Sequence, residues 1–353
     1  YRGELEGKIG VTPLLFTQFP YATIATTFSA TNGVTDSAAA GTALATGNKT
    51  KNGALGVKKD LETKVNSIAS WAKEKGCRVG ISTSVSVDHA TPAAFYAHQG
   101  QRSSYYNVGL DLIDANFDFY AGSDFLDPTN KKAAGSNSES LYTLVDKAGY
   151  TIARGYKDYQ KKAKKSDKLI LLQPATATDN SAIPYAIDRK KGDMTLTEIT
   201  RAGINFLSKD LSKGFFLMVE GGKIDWACHA NDAATVFNEV KDMDNAIKVA
   251  YEFYKKHPKE TLIVITADHE TGGIVLGTGK YALNLKALQY QKHSADGLSQ
   301  RISELRKSKG NKVTWEDMKT FLGEEMGFWK QFPLSWEQEK KLRDEFEKSF
   351  VKN

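Results

Sequence analysis

Apolar runs of strand length alternate with amphipathic helical patterns along most of this 353-residue chain, and this alternation limits the fold more than any other feature. The runs typical of buried strands are 77–87, 168–173, 214–220 and 261–267. Apolar residues recur at helical spacing over about 61–75, 139–148, 195–212 and 232–256. Strands that alternate with helices favour a mostly parallel sheet with helices on both faces. We therefore predict an α/β fold, a three-layer α/β/α sandwich around a mostly parallel central sheet.

The pattern changes near residue 280, where strand-like runs give way to a charged segment with helical periodicity. A helix-start signal, Thr-Trp-Glu-Asp, lies at 314–317 in this segment. We predict an α/β domain over 1–280 and a helical insertion or accessory region of the same domain over 281–353.

Composition narrows the class of protein. No apolar run approaches the roughly 18 residues of a membrane-spanning helix, so we predict no membrane span. The formal net charge of +6 comes from a modest lysine excess, partly in the clusters at 161–168 and 188–191. Such clusters are typical of solvated faces, and no basic motif interleaved with aromatic residues indicates nucleic-acid binding. The chain begins at Tyr1 without a signal-peptide pattern, which we interpret as a processed or trimmed N-terminus.

Side chains that can bind metal ions follow three of the predicted strands, at the end where α/β sheets bind ligands. They are Asp88, His89, Thr91, Glu220, Asp225, His229, Asp268 and His269. Asp225 and His229 are four residues apart, so in a helix they face the same way and can share one ion. Mixed carboxylate and imidazole ligands suit zinc, whereas oxygen ligands such as Glu220 and Thr91 suit magnesium.

Each pair also has a structural interpretation. Asp225 can cap the segment that follows it, His229 can be a hydrogen-bonded polar residue, and Asp268 can close a turn. For a single pair the structural interpretation is the stronger one. Two pairs together with Glu220 favour a metal site.

The stretch Val-Thr-Asp-Ser-Ala-Ala-Ala-Gly, from Val34 to Gly41, places Ser37 at the start of a helix of small residues that stops at Gly47. A helix N-terminus favours an anion, and small residues let a phosphate approach closely. Asp and Ser are also common helix caps, so this segment alone does not establish a phosphate-binding site. Farther along, Arg102 offers bidentate capture of a phosphate, although most arginines are surface ion-pair partners.

Taken together, these segments resemble the bacterial alkaline phosphatases. The resemblance is carried, in the family's order, by "VTDSAAAGTALATGNKTKNGALGV" (34–57), "HATPAAFYAHQGQR" (89–102), "VEGGKIDWACH" (219–229) and "TADHETGG" (266–273). Several motifs in the same order are a stronger signal than one motif.

The resemblance implies a role for each candidate residue. It implies that Ser37 is the nucleophile that becomes a phosphoserine and that Arg102 clamps the phosphate. The implied metal ions are two Zn²⁺ and one Mg²⁺. The implied ligands are Asp225 and His229 for one zinc, Asp268 and His269 for the other, and Thr91 and Glu220 for magnesium. His89 and Trp226 lie at positions around the third metal site that vary in the family, so the occupant of that site stays open.

Two ligands of the family have no counterpart here. The family's first strand ends in an Asp that bridges a zinc and the magnesium, and a third zinc ligand is a His near the C-terminus. The sequence has no Asp before Asp36, and His293 leads into a helix pattern, which disfavours it as that ligand. We expect a longer parent chain to carry both, so that this chain lacks both ends of the family domain and turns over weakly or not at all.

The implied function is hydrolysis of small-molecule phosphate monoesters by a periplasmic or secreted homodimer. A related phosphodiesterase, phosphomutase or sulfatase is the nearest alternative, but those enzymes use a different nucleophile context. A non-catalytic module that binds metal or phosphate is the alternative from another class.

Overall fold

The computed structural model describes residues 1–8, 10–131, 137–275, 284–310 and 312–351. Within these residues five strands form one sheet in the order β3-β4-β2-β1-β5, and every neighbouring pair is parallel. The strands are β1 Arg78–Thr83, β2 Phe119–Ala121, β3 Tyr150–Arg154, β4 Lys168–Leu172 and β5 Phe215–Glu220.

Helices connect the strands and continue beyond the sheet. The helices are α1 Arg2–Leu5, α2 Ser37–Thr46, α3 Ile68–Glu74, α4 Ala90–Ala93, α5 Tyr105–Ala115, α6 Leu141–Lys147, α7 Tyr156–Lys162, α8 Leu196–Leu207, α9 Gly222–His229, α10 Ala233–Lys256, α11 Ala295–Ser308, α12 Trp315–Glu325 and α13 Trp336–Phe346. Short 3₁₀ segments lie at Phe16–Gln18, Ala163–Lys165, Leu211–Lys213 and Leu285–Tyr290, and Glu347–Val351 forms a π-helical turn. None of the helices in the described residues is long and apolar enough to cross a membrane.

Successive residues of each strand point into two separate cores. In β4, Ile170 belongs to a core that includes buried residues of α3, α5 and α6, whereas Leu171 belongs to a core with residues of α7, α8 and α10. In β2, Tyr120 and Phe119 divide between the two cores in the same way. The side-chain period of two residues along a strand thus buries both faces of the sheet. The predicted α/β/α sandwich is confirmed.

The predicted strands at 77–87, 168–173 and 214–220 correspond to β1, β4 and β5, and the four helical patterns correspond to α3, α6, α8 and α10. The predicted helix from Ser37 ends where expected, because Gly47 adopts a left-handed conformation with φ of 73° at its C-terminus. The strands β2 and β3 were not predicted.

The prediction of a buried strand at 261–267 is wrong. These residues form no ladder with another strand, and Leu262 and Val264 are 86% and 75% exposed. An apolar run becomes a strand only when a neighbour satisfies its backbone hydrogen bonds. In the described part of the chain β5 is the last strand of the sheet order, and no strand pairs beyond it.

The region after residue 284 is helical, as predicted, and its described residues contain no strand. Val313, Met318 and Phe346 form the centre of its own small core. Thr314 and Asp317 form the predicted start of α12 as a reciprocal capping box. The predicted domain boundary between 280 and 281 lies outside the described residues.

Candidate active site

Ser37 is the first residue of α2, and the local sequence fixes it there. Asp36 caps the helix by accepting a hydrogen bond from the Ala39 backbone N–H at 3.0 Å. Ser37 is 8% exposed. A side chain at Gly41 would place its Cβ 3.0 Å from the Ala94 Cβ, so the small residues of α2 let it pack closely against α4. This packing brings α2 next to the segment that carries Thr91.

The Ser37 hydroxyl meets the second predicted ligand pair. Ser37 Oγ lies 3.1 Å from His269 Nε2, and the same nitrogen lies 3.3 Å from Asp268 Oδ2. Residues more than 230 positions apart in sequence thus converge at the N-terminus of a helix. A hydroxyl oxygen, an imidazole nitrogen and a carboxylate oxygen together form a donor set that zinc accepts.

The first predicted pair lies on α9, one helical turn apart. His229 Nε2 is 3.5 Å from Asp225 Oδ2, which confirms that the two side chains lie on one helix face. Thr271 joins this pair to the other one, since its hydroxyl donates to Asp225 Oδ1 at 2.5 Å and lies 3.2 Å from His269 Nδ1. Thr271 was not among the residues predicted for the site.

Glu220 ends β5 directly opposite Thr83, the last residue of β1. The Thr83 hydroxyl donates to Glu220 Oε2 at 2.5 Å. Although Glu220 keeps some exposed surface, its carboxyl is packed among protein atoms, and this loss of solvation raises its pKa to about 7. The charges of Asp268 and Asp225 raise it too, against hydrogen bonds from Thr83 and Thr91.

Asp268 is affected in the same way. Burial raises the pKa of its carboxyl, and the charge of Asp225 adds to the effect. The carboxylates of Glu220, Asp225 and Asp268 therefore lie close enough to repel one another. A bound cation would relieve that repulsion.

The residues present have the chemistry that the implied metal ions require, but they provide only part of each set of ligands. Within the described residues no cluster of three or more His, Cys, Asp or Glu side chains has the spacing of a complete metal site. The donors occur instead as carboxylate–imidazole pairs and a carboxylate with hydroxyls. The pairs are Asp225 with His229 and Asp268 with His269, and the carboxylate is that of Glu220, which accepts hydrogen bonds from Thr83 and Thr91.

Arg102 is held by two side chains near Ser37. Its Nη1 lies 3.1 Å from Asp36 Oδ2, and its Nη2 lies 3.4 Å from His89 Nε2. Desolvation and the charge of Arg102 lower the pKa of His89 to about 4, so the imidazole is neutral near pH 7 and can accept a hydrogen bond from Arg102. The ring of Trp226 meets the His89 ring edge-on, with centroids 5.9 Å apart.

Two residues have roles that differ from their first interpretation. Asp36 was predicted as a cap and is also the ion-pair partner of Arg102. Asp88, which follows the β1 run, is fully buried, and its carboxylate accepts a hydrogen bond from the Leu126 backbone N–H at 2.8 Å. Asp88 therefore holds the loop at Leu126 in place.

The sequence of this chain was compared with known protein families. The sequence model of the alkaline phosphatase family matches residues 1–115 and 124–327. This chain belongs to the alkaline phosphatase family. Solved alkaline phosphatases share its α/β fold: that of the Antarctic bacterium TAB5 is 33% identical with a TM-score of 0.68, covering 81% of this chain and 77% of that one. The cold-active enzyme of a Shewanella species is 30% identical with a TM-score of 0.72, covering 91% and 73%.

Curated alkaline phosphatases are also similar in sequence. Alkaline phosphatase 4 of Bacillus subtilis (strain 168) is 36% identical over 295 residues, which is 81% of this chain and 62% of that protein. Alkaline phosphatase 3 of the same organism is 36% identical over 272 residues, which is 77% of this chain and 57% of that protein. The chain thus spans less than two thirds of the length of both relatives. A His-to-Glu variant of the TAB5 alkaline phosphatase has Mg bound in its M3 site.

Proposed function

We propose that this chain contributes the nucleophile and phosphate-binding residues for hydrolysis of phosphate monoesters to an alcohol and inorganic phosphate. The contact between Ser37 Oγ and His269 Nε2 at 3.1 Å is the main support for this proposal. Ser37 lies at the N-terminus of α2, and this contact joins it to His269, a residue of one proposed metal-ligand pair. Arg102, which shares Asp36 with that helix, supplies a guanidinium for the phosphate oxygens.

In the proposed reaction the Ser37 hydroxyl gives its proton to solvent, Ser37 Oγ attacks phosphorus, and the bond between phosphorus and the alcohol oxygen breaks. The alcohol leaves with a proton from water, and the phosphoryl group stays on Ser37. Water then attacks phosphorus, and the bond to Ser37 Oγ breaks. A proton from that water returns to Ser37 Oγ, and inorganic phosphate is released. Arg102 and the backbone N–H groups of α2 bind the phosphoryl oxygens in both steps.

The proposed cofactors are two Zn²⁺ and one Mg²⁺. When bound, they supply positive charge that favours deprotonation of a serine hydroxyl or of water. The residues that would hold them are Asp225 with His229, Asp268 with His269, and Thr91 with Glu220.

We also propose a homodimer in the periplasm or outside the cell, on the strength of the family alone. Within the chain we propose that 1–280 forms the catalytic domain and 281–353 an accessory region.

Turnover of p-nitrophenyl phosphate at alkaline pH, with zinc and magnesium added, tests the proposed function. Activity, even if weak, is expected to disappear in Ser37→Ala, because no hydroxyl remains to accept the phosphoryl group. Ser308→Ala, at the exposed end of α11, is the matched control. Full activity in Ser37→Ala would show that Ser37 is not the nucleophile. Faster turnover of bis-p-nitrophenyl phosphate or p-nitrophenyl sulfate would favour a phosphodiesterase or a sulfatase.

A further inference from the structure

Lys223 is a buried cation in the first turn of α9, and the proposed chemistry assigns it no role. It is 4% exposed. Its Nζ lies 3.4 Å from the ring centroid of Tyr185 and 4.8 Å from that of Trp226. An ammonium group over aromatic faces is attracted by their electron density, and the attraction grows when water is excluded.

Contacts around Lys223 fix the position of the first turn of α9. Its backbone N–H donates to Ser84 Oγ at 3.2 Å, which ties the start of α9 to the loop after β1. A side chain at Gly222 would place its Cβ 2.9 Å from Val85 Cγ1, so this turn has no room to shift toward that loop. Burial lowers the pKa of the Lys223 ammonium, and the charges of four carboxylates oppose that shift, those of Glu239, Asp179, Asp296 and Asp188.

A continuous series of contacts leads from Lys223 to the phosphate-binding arginine. Trp226, one turn along α9, meets the His89 ring edge-on at 5.9 Å. His89 Nε2 lies 3.4 Å from Arg102 Nη2. The Trp226 indole therefore contacts both Lys223 and His89, and the position of the indole limits where His89 can contact the guanidinium.

We propose that Lys223 is a positioning residue for phosphate binding: it fixes the Trp226 ring, which sets His89 and through it the guanidinium of Arg102. This proposal rests on the proposed function, since it takes Arg102 as the phosphate-binding group. The charge of Lys223 is the property that matters, because a neutral side chain of the same length fills the space but does not attract the rings.

The affinity for inorganic phosphate, measured calorimetrically with zinc and magnesium present, tests whether phosphate binding depends on the charge of Lys223. In Lys223→Met we expect the Kd for phosphate and the KM for p-nitrophenyl phosphate to rise about 3- to 10-fold, with a smaller change in kcat. Lys223→Arg keeps a cation for the rings and is expected to restore most of the affinity. The midpoint of thermal unfolding should stay the same or rise in Lys223→Met, since a buried charge is removed. An unchanged Kd in Lys223→Met would overturn the proposal.

Lys255→Met is the matched control, because Lys255 also lies over an aromatic ring, that of Tyr251 at 5.7 Å, but at the exposed end of α10. It should leave phosphate affinity unchanged. In a Trp226→Leu background Lys223→Met should have no further effect on the Kd, because the ring that transmits the effect is absent. An equal loss of affinity in both backgrounds would show that Lys223 does not act through Trp226.

Crystal structures of the unmodified chain and of Lys223→Met separate this proposal from the proposed function. We expect a displaced Trp226 ring and a lost contact between His89 and Arg102 in the variant. If the unmodified chain neither binds phosphate nor hydrolyses the ester, the proposed function fails, and the two structures still decide whether Lys223 orients Arg102. An unchanged Trp226 ring would overturn that positioning role.

Discussion

At the residue scale, the shape of the Arg102 guanidinium should matter as much as its charge. Its two terminal nitrogens already contact different side chains, Asp36 and His89, so the group is oriented before any phosphate binds. Lysine keeps the charge but cannot form two parallel hydrogen bonds to phosphate. We expect Arg102→Lys to raise the KM for p-nitrophenyl phosphate about 10-fold or more. Steady-state kinetics measures this, with Arg306→Lys on α11 as the control. An unchanged KM would exclude Arg102 from phosphate binding.

A second prediction at this scale concerns a buried carboxyl outside the candidate ligands. Glu239 on α10 is 5% exposed and accepts a hydrogen bond from the Ala186 backbone N–H at 2.6 Å. Burial raises its pKa to about 7 from its ordinary value of 4.5. Folding therefore favours the protonated form, and the free energy of unfolding falls as the pH rises from about 4.5 through about 7.

Glu239→Gln should remove that pH dependence, because glutamine keeps the acceptor oxygen but carries no charge. Near pH 8 we expect the variant to be more stable by about 1–3 kcal/mol, while near pH 4 the two proteins should differ little. Urea unfolding at both pH values measures the difference. Glu252→Gln, exposed on the same helix, should show no such change. Equal stability of Glu239→Gln and the parent chain at pH 8 would mean that Glu239 is charged in the folded state at little cost.

At this scale, residues with uncommon chemistry could be identified from the sequence alone. His229 and His269 stand out in a chain with only six histidines, and Arg102 carries the guanidinium that suits bidentate phosphate binding. Thr83 and Thr271 could not be singled out in this way, because threonine hydroxyls are frequent and their hydrogen bonds to Glu220 and Asp225 depend on the tertiary fold.

At the element scale, the close approach of α2 to α4 should depend on Gly41. A Cβ there would lie 3.0 Å from Ala94 Cβ and 3.4 Å from the Thr91 Cα, and a backbone atom cannot move aside as a flexible side chain can. Gly41→Val should therefore push α2 away, destabilise the fold by about 1–3 kcal/mol and lower turnover by moving Ser37. Gly33→Val is the control, since a Cβ at Gly33 meets nothing within 4 Å. Thermal unfolding and kinetics check both variants, and unchanged values in Gly41→Val would contradict this account of the packing.

Element boundaries could be predicted where the pattern is long and local. The helix α10 was predicted to within one residue because its apolar residues recur over 24 positions. The strand β2 has only three residues, too few to show any periodicity. The run at 261–267 has the composition of a strand, but composition cannot reveal whether a neighbouring strand pairs with it.

At the scale of the whole molecule, the accessory helices are joined to the sandwich by hydrogen bonds around the start of α11. Asp188, in the connection between β4 and α8, accepts a hydrogen bond from the Ser294 backbone N–H at 3.0 Å and lies 3.3 Å from His293 Nδ1. Asp232, the cap of α10, accepts from Gln291 Nε2 at 2.7 Å and from the Ala295 backbone N–H at 2.8 Å. His293 therefore lies in the hydrogen-bonded contact between the accessory helices and the sandwich.

The contacts of Asp188 with His293 and Ser294 predict that Asp188→Ala destabilises α11 locally. The variant leaves the cap of α11 without its carboxylate partner, so α11 should open more readily while the sheet keeps its stability. Loss of two or three hydrogen bonds to a charged acceptor should lower the local free energy of opening by about 2 kcal/mol. Hydrogen exchange should then be faster in Ala295–Ser308 and unchanged in β1 and β4. Asp193→Ala, in the same connection, removes an acceptor for the Lys190 backbone N–H and should leave α11 as protected as before. If α11 exchanged at the same rate in Asp188→Ala and in the parent chain, the helical region would be held by its apolar contacts and by Asp232 instead.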